Sequence, residues 1–179
     1  MAEVLPFEGR HPRIASDAFV APTAVIVGNV QVKSRASVWF GAVLRGDDPD
    51  HPIVVGPGSN VQDNALIHVT SRAPTLLGRD VTVGHGVSLE SCRIGDGTLI
   101  GMNAVVLPEA EVGEECLIAA GAVVLEGTRI PDRSLVAGVP AKVRRTVDAS
   151  AGAGLRRSAS HYVNLSRRYL EQGVGTLER

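Results

Sequence analysis

The sequence predicts an all-β fold, a parallel β-helix built from hexapeptide repeats, followed by a C-terminal α-helix. An isoleucine, valine or leucine recurs at every sixth position over most of the chain, and a small residue follows many of these aliphatic anchors after four positions. A period of six fits neither an amphipathic helix nor simple alternation, and a short fixed period is typical of a solenoid. The anchors of the longest run are Ile94, Ile100, Val106, Val112, Ile118, Val124, Ile130 and Val136.

The repeat resembles that of left-handed hexapeptide β-helices, which implies a left-handed parallel β-helix with three hexapeptides in each triangular coil. Successive coils then stack at the strand spacing of about 4.8 Å. The low aromatic content of 3% and the 20 glycines fit a narrow solenoid with aliphatic columns inside. We expect the β-helix domain to span residues 1–145 and the regular coils to end at Gly138–Lys142, where Pro140 interrupts the pattern.

The remainder, residues 146–179, is expected to be a linker and a helix that packs on the β-helix. Asp148–Gly154 is rich in Ala, Gly and Ser, which predicts a loose linker before the helix. In Ser158–Leu170, Tyr162, Leu165 and Tyr169 recur at helical spacing and form one apolar stripe.

Composition excludes several classes of function. The net charge is −1, the sequence pI is about 6.5, and no basic block is present, so we expect no nucleic-acid partner. No apolar stretch approaches the roughly 18 residues of a membrane span, so we expect no membrane association. Cys92 and Cys116 form neither a CxxC pair nor a disulfide framework, which favours a reducing cytoplasm.

The six-residue period breaks at two places, and these breaks are candidate functional loops. The step from Leu44 to Val55 is 11 residues, and the step from Ile67 to Leu77 is 10. Loops should therefore project near residues 48–52 and 70–74. Function tends to be carried by such irregular segments on a rigid scaffold.

Counting anchors places three side chains in one vertical column. Arg45, His68 and Glu90 each follow an anchor, and those anchors lie one full coil apart. His68 and Glu90 would then be vertical neighbours, close enough to share a metal ion. His85 follows a different anchor and belongs to another face, so it could join them only from a neighbouring subunit of a threefold trimer. The spacing therefore predicts a homotrimer.

Gln62 belongs beside His85 in this arrangement. It should lie one coil below Gly84, on the second face. Its amide would orient a metal-bound water or make a corner hydrogen bond, and spacing alone favours neither.

Several segments together resemble the gamma-class carbonic anhydrase family. The resemblance covers the chain from about residue 5 to the tail, including 158–162, and its motifs are the segments 38–47, 60–64, 67–69, 83–86 and 100–104 together with Cys92. It implies a homotrimer with a catalytic metal at each subunit interface, held by three histidines. His68 and His85 match two of them, and Glu90 stands at the third position.

Glu90 leaves two interpretations open. As a ligand it completes a set of two histidines and one carboxylate, which suits Zn²⁺ first and also Fe²⁺ or Co²⁺. Alternatively the site is metal-free and Glu90 pairs with His68 or Arg45. The carboxylate would make the metal a weaker Lewis acid than three imidazoles would.

The resemblance also suggests supporting residues. Arg45 and Asp47 look like the family's paired interface residues, Asp63 is expected to orient Gln62, and Tyr162 resembles a residue at the pocket edge. Of the other histidines, only His51 lies in a bulge from which it could edge the pocket.

The implied activity is the reversible hydration of carbon dioxide, a small-molecule substrate. The loop at 70–74 offers Arg72 and no carboxylate to move protons, so turnover is expected to be slow. Three alternatives remain open: a related lyase or hydrolase acting on a thioester or a specialised metabolite, a non-catalytic trimeric subunit, and a hexapeptide acyltransferase. The acyltransferase rests only on the repeat and on Gly138–Lys142.

Overall fold

The computed structural model describes residues 2–175, without the side chains of Ala149 and Ala151. Among these residues, short strands follow one another up to Thr146, and one long helix comes after them. The elements are β1 (Glu3–Leu5), β2 (Arg13–Ile14), β3 (Phe19–Val20), β4 (Val25–Gly28), β5 (Val30–Val32), β6 (Ser37–Val38), β7 (Val43–Gly46), β8 (Ile53–Val55), β9 (Asn60–Val61), β10 (Leu66–His68), β11 (Thr75–Leu77), β12 (Thr82–Val83), β13 (Ser88–Glu90), β14 (Arg93–Ile94), β15 (Leu99–Ile100), β16 (Val105–Val106), β17 (Glu111–Val112), β18 (Leu117–Ile118), β19 (Val123–Val124), β20 (Arg129–Ile130), β21 (Ser134–Ala137), β22 (Lys142–Thr146) and α1 (Ala149–Glu171).

The predicted left-handed parallel β-helix is confirmed. Each strand from β1 to β18 pairs in parallel with the strand three places later, so three sheets form the sides of a triangular prism. We call the sheet β1-β4-β7-β10-β13-β16-β19 the site face and the sheet β2-β5-β8-β11-β14-β17-β20 the charged face. The sheet from β3 to β21 is the helix face, and β22 closes it by pairing antiparallel with β21.

Columns of aliphatic anchors fill the interior. Ile26, Leu44, Ile67 and Leu89 stack in successive coils of the site face, each no more than 1% exposed. The small residues between anchors are also buried, because they occupy corners where a larger side chain would not fit. Burying one such aliphatic side chain contributes roughly 1.5–3 kcal/mol, so repetition over the coils builds a continuous core.

The outer surfaces of the three faces differ in character. The site face presents mainly apolar residues, namely Val25, Val43, Leu66, Val105, Val123 and Leu125, of which Leu66 is 44% and Leu125 47% exposed. The charged face carries Arg93, Glu111 and Arg129 in vertical register. The helix face is covered in part by α1, under which Phe19 and Trp39 are buried.

The C-terminal helix is longer than the sequence suggested. Asp148–Gly154 was expected to be loose, but α1 already begins at Ala149. The expectation was wrong because it rested on the low helix propensity of Gly and Ser. Packing of one side of the helix against the protein stabilises it despite that propensity. Gly152, Leu155 and Ala159 are buried. The predicted stripe of Tyr162, Leu165 and Tyr169 packs against Phe19 and Trp39.

Both breaks in the period form projecting segments, as the spacing predicts. The first runs from residue 47 to 52, and Asn29 Nδ2 donates a 3.1 Å hydrogen bond to the Pro49 carbonyl there. The second is a tight turn closed by antiparallel bridging of Thr70 and Ala73. Across the residues the structure describes, no helix has both the length and the apolar character of a membrane span.

Close stacking of coils requires glycine at Gly28, which gives a test of the architecture. Gly28 has φ of +73°, and an added Cβ would lie 2.3 Å from the carbonyl oxygen of Gly46 in the next coil. Gly121 has φ of +67° with no atom within 4 Å of an added Cβ.

We predict that Gly121→Ala costs only the strain of a left-handed alanine, about 1–2 kcal/mol. Gly28→Ala should lower the free energy of unfolding by clearly more, because the methyl group also clashes with backbone. Urea unfolding of both variants measures this, and equal destabilisation would contradict the stacking described here.

Candidate functional site

The predicted column exists on the site face. β10 pairs with β7 and with β13 so that His68 stands opposite Arg45 on one side and Glu90 on the other. Ile67 is fully buried, so its neighbours Leu66 and His68 point outward from the sheet. The register alone therefore brings these three polar side chains together.

The imidazole of His68 lies between two carboxylates. Its Nδ1 is 2.8 Å from Glu90 Oε1, and its Nε2 is 3.1 Å from Asp47 Oδ1. Arg45 donates to Oδ2 of the same Asp47, so both oxygens of that aspartate are engaged. The His68 side chain is 19% exposed, and the flanking carboxylates are partly open to solvent.

Asp47 is held in its ionised form by these contacts. Partial burial would raise its pKa, but hydrogen bonds from Arg45, from its own backbone and from His68 outweigh that effect, and the pKa is lowered. The column thus presents a fixed negative charge beside an imidazole.

A second group of polar residues lies on the helix face. His85 follows β12, and its Nδ1 is 2.9 Å from Asp63 Oδ2. Gln62 follows β9 and is only 5% exposed, and its Nε2 donates a 3.0 Å hydrogen bond to Asn60 Oδ1. The register predicts this placement of Gln62 one coil below Gly84, since β9 and β12 pair at Val61 and Val83. Asp63 therefore contacts His85 and not Gln62, in contrast to the expected role.

One copy of the chain does not bring His68, Glu90 and His85 together. His68 and Glu90 lie on the site face and His85 follows a strand of the helix face, as the spacing predicts. Within residues 2–175 no three His, Cys, Asp or Glu side chains form a group that could hold a metal ion. The two groups of polar residues differ in chemistry. The group on the site face has an imidazole between two carboxylates, and the group on the helix face has an imidazole whose Nδ1 contacts one carboxylate.

Tyr162 belongs to α1, which covers part of the helix face. Its ring packs edge-on against Trp39, with centroids 5.3 Å apart. Burial raises the pKa of its phenol, and the nearby charge of Asp63 raises it further. The helix therefore places this hydroxyl group on the Asp63 side of the helix face.

Sequence reasoning missed three contributions. Asn60 precedes Gln62 by two positions, and outward alternation along a strand could have placed them on one side. Asp48 Oδ1 lies 2.9 Å from His51 Nδ1. The six-residue period does not predict this pair, because both residues lie in an irregular loop. Arg72 donates a 2.7 Å hydrogen bond to Glu126, 54 residues away, which only a count of corners through several coils would find.

Comparison with known proteins finds both carbonic anhydrases and hexapeptide transferases. The profile of the bacterial transferase hexapeptide family (six repeats) matches residues 91–126. A probable carbonic anhydrase of Methanocaldococcus jannaschii is 45% identical over 86% of this chain and 95% of its own length. The mitochondrial gamma carbonic anhydrase 2 of Arabidopsis thaliana is 36% identical over 95% of this chain, which spans 63% of that relative.

A solved structure gives the same fold. The crystal structure of a hexapeptide transferase family protein from Anaplasma phagocytophilum is 37% identical and superposes with a TM-score of 0.89. The match covers 93% of this chain and 98% of that one.

The electrostatic effect of Asp63 on Tyr162 can be tested by titration. Tyr162 is the only tyrosine left in a Tyr169→Phe background, because the chain has two. We predict that its pKa lies above the ordinary 10.0 and falls when Asp63→Asn removes the charge, while burial keeps it raised. Phenolate absorbance against pH measures this, and a pKa that does not respond to Asp63→Asn would contradict the placement.

Proposed function

The chain belongs to the gamma carbonic anhydrase family, and from that premise we propose that it catalyses the reversible hydration of carbon dioxide at a metal site shared between copies of the chain. The observation that carries the proposal is the division of the polar residues into two complementary half-sites. His68 with its carboxylates lies on one face, and His85, oriented by Asp63, lies on another.

The residues fit a metal ion of the zinc class. His68 and a neighbouring carboxylate from one copy, with His85 from a second, make the set of two imidazoles and one carboxylate. The Nδ1 contact of His85 with Asp63 is the arrangement usual for a ligating histidine, whose other ring nitrogen donates to a carboxylate. Zn²⁺ suits this set best, and Fe²⁺ or Co²⁺ would also be accepted. When bound, the ion supplies activation of water as a nucleophile at neutral pH.

The assembly we propose is a homotrimer. A second copy would cover the apolar site face, which exposes Leu66 and Leu125, and would bring its own His85 beside His68. In a threefold ring each copy contributes His68 and its carboxylates to one neighbour and His85 to the other. All three interfaces are then equivalent, and the ring is closed. The charged face would remain in solvent, where its arginines and glutamates are hydrated.

Each remaining site residue then has a task. Gln62 gives its amide nitrogen to Asn60, which leaves Oε1 free to accept a hydrogen bond from the reacting water. Asp63 fixes the ring of His85, and Arg45 keeps Asp47 ionised and in place. Tyr162 bounds the pocket near Asp63.

Release of a proton limits the rate in this proposal. Hydration of carbon dioxide yields bicarbonate and a proton, and the loop beside His68 offers only Arg72, which is tied to Glu126 and lies 3.2 Å from Glu109. A guanidinium cannot act as a proton carrier near neutral pH. We therefore propose slow turnover that depends on buffer.

We propose the cytoplasm as the place of action. Cys92 and Cys116 are both free and buried, and burial raises the pKa of Cys92 to about 12. Such thiols are structural and persist in a reducing compartment.

The hydration activity is tested with protein reconstituted with Zn²⁺, Co²⁺ or Fe²⁺. We predict a rate above buffer that is lost in His68→Ala and in His85→Ala, because each removes a ligand. His11→Ala is the matched control, since His11 is exposed and outside both half-sites, and it should keep the wild-type rate. No rate with any of the three metals would contradict the proposal. Metal content would then separate a non-catalytic trimer, which is empty, from an enzyme for another substrate such as a thioester, which is loaded.

A single charged substitution on the site face tests the proposed trimer interface. Leu66→Glu places a carboxylate in the middle of the apolar site face, and we predict dissociation of the trimer with the coil intact. Leu76→Glu, at an outward position of the charged face one strand later, is the matched control and should stay trimeric. Sedimentation measures both, and circular dichroism verifies the fold. A wild type that sediments as a monomer would contradict the proposal, and so would trimers in both variants.

A further inference from the structure

We infer that the carboxylate ligand of the metal is Asp47, and that Glu90 is a positioning residue that holds the ring of His68. This assignment rests on the proposed function, because it presupposes the shared site, and it names a ligand other than the glutamate that the sequence suggests. The metal would lie among His68 Nε2, the Asp47 carboxylate and His85 Nε2 of a second copy.

The two ring nitrogens of His68 face different carboxylates. They lie on opposite sides of the imidazole ring, so a metal ion bound at one of them cannot occupy the contact made by the other. Glu90 takes Nδ1 at 2.8 Å, and Asp47 faces Nε2 at 3.1 Å. Whichever nitrogen binds the metal, only the carboxylate on that side can be its fellow ligand.

His85 indicates which nitrogen it is. Its Nδ1 lies 2.9 Å from Asp63 Oδ2. The contact of His68 with Glu90 uses the same ring nitrogen at a similar distance, 2.8 Å. Each histidine thus has a carboxylate against Nδ1, and in the tautomer that donates from Nδ1 the ligating atom is Nε2. By this correspondence Glu90 serves His68 as Asp63 serves His85.

Asp47 has the position and the support of a ligand. Two ligands of one tetrahedral ion with bonds of roughly 2.0–2.1 Å lie about 3.3 Å apart, and the Asp47–His68 contact is close to that distance. Its second oxygen is held by Arg45, and ligating carboxylates are themselves commonly hydrogen-bonded.

Chain geometry explains why Asp47 can reach this place. It lies directly after β7, at the start of the first break in the period, two positions beyond Arg45. A regular corner would turn the backbone to the next face at that point. The projecting segment 47–52 instead leaves Asp47 beside the column, in contact with the ring one coil above.

Metal affinity distinguishes the two carboxylates. In Glu90→Gln the amide oxygen can still accept from Nδ1, so we expect the trimer to keep its metal, with affinity reduced by no more than about 100-fold, the usual range for an outer-shell change. In Asp47→Asn a charged ligand is lost, and we expect affinity to fall by more than about 100-fold. Asp48→Asn is the matched control, because Asp48 contacts His51 and not His68, and it should bind as the wild type does.

Competition with a chromophoric chelator gives the zinc affinities, and the visible absorption of the Co²⁺-loaded trimers reports the ligand set directly. The Glu90→Gln spectrum should match the wild type. Loss of metal in Glu90→Gln would overturn the assignment, even if Asp47→Asn failed to assemble. Retention of metal in Asp47→Asn, or equal loss in both, would also overturn it. A wild-type trimer that binds no metal would overturn the proposed function as well, so the two failures are distinguishable.

Discussion

Parallel stacking of coils with one repeated pattern of buried anchors is the constraint from which the rest of the structure follows. An inward aliphatic residue in each hexapeptide fixes the register between coils, and a slip by one residue would turn every buried side chain to the solvent. With the register fixed, residues adjacent to stacked anchors must also stack. Arg45, His68 and Glu90 are neighbours for this reason alone, although 23 and 22 positions separate them along the chain.

The regular coils determine which residues stack, and the irregular segments add further polar contacts to them. The break after β7 keeps Asp47 beside His68, and the turn after β10 carries Arg72 across several coils to Glu126. The three faces also differ. One is apolar and bears the first half-site, one is charged, and one lies under a helix that carries Tyr162 towards Asp63. The three sides of the prism therefore present chemically different surfaces.

The periodic part of the molecule could be predicted from the sequence, and the local part could not. Six-residue spacing determined the coils, the column and the separation of His85 from His68, because each follows from counting. The predicted start of α1 was wrong, because the low helix propensity of Gly152 and Gly154 is outweighed by the burial of Gly152, Leu155 and Ala159. Which nitrogen of His68 faces which carboxylate depends on the rotation of the His68 side chain and on the shape of the irregular segment that begins at Asp47, and spacing carries no information about either. The same is true of the Asp63 contact, which joins His85 and not Gln62.

The central claim is that one metal site needs two copies of the chain, and mixed trimers test it most directly. His68→Ala and His85→Ala subunits with different affinity tags can be co-expressed and the mixed trimers isolated through both tags. In a ring, one interface of each mixed trimer pairs an intact His68 with an intact His85. The account predicts about one metal ion in each mixed trimer and none in either parent. Mixed trimers as empty as both parents would contradict it.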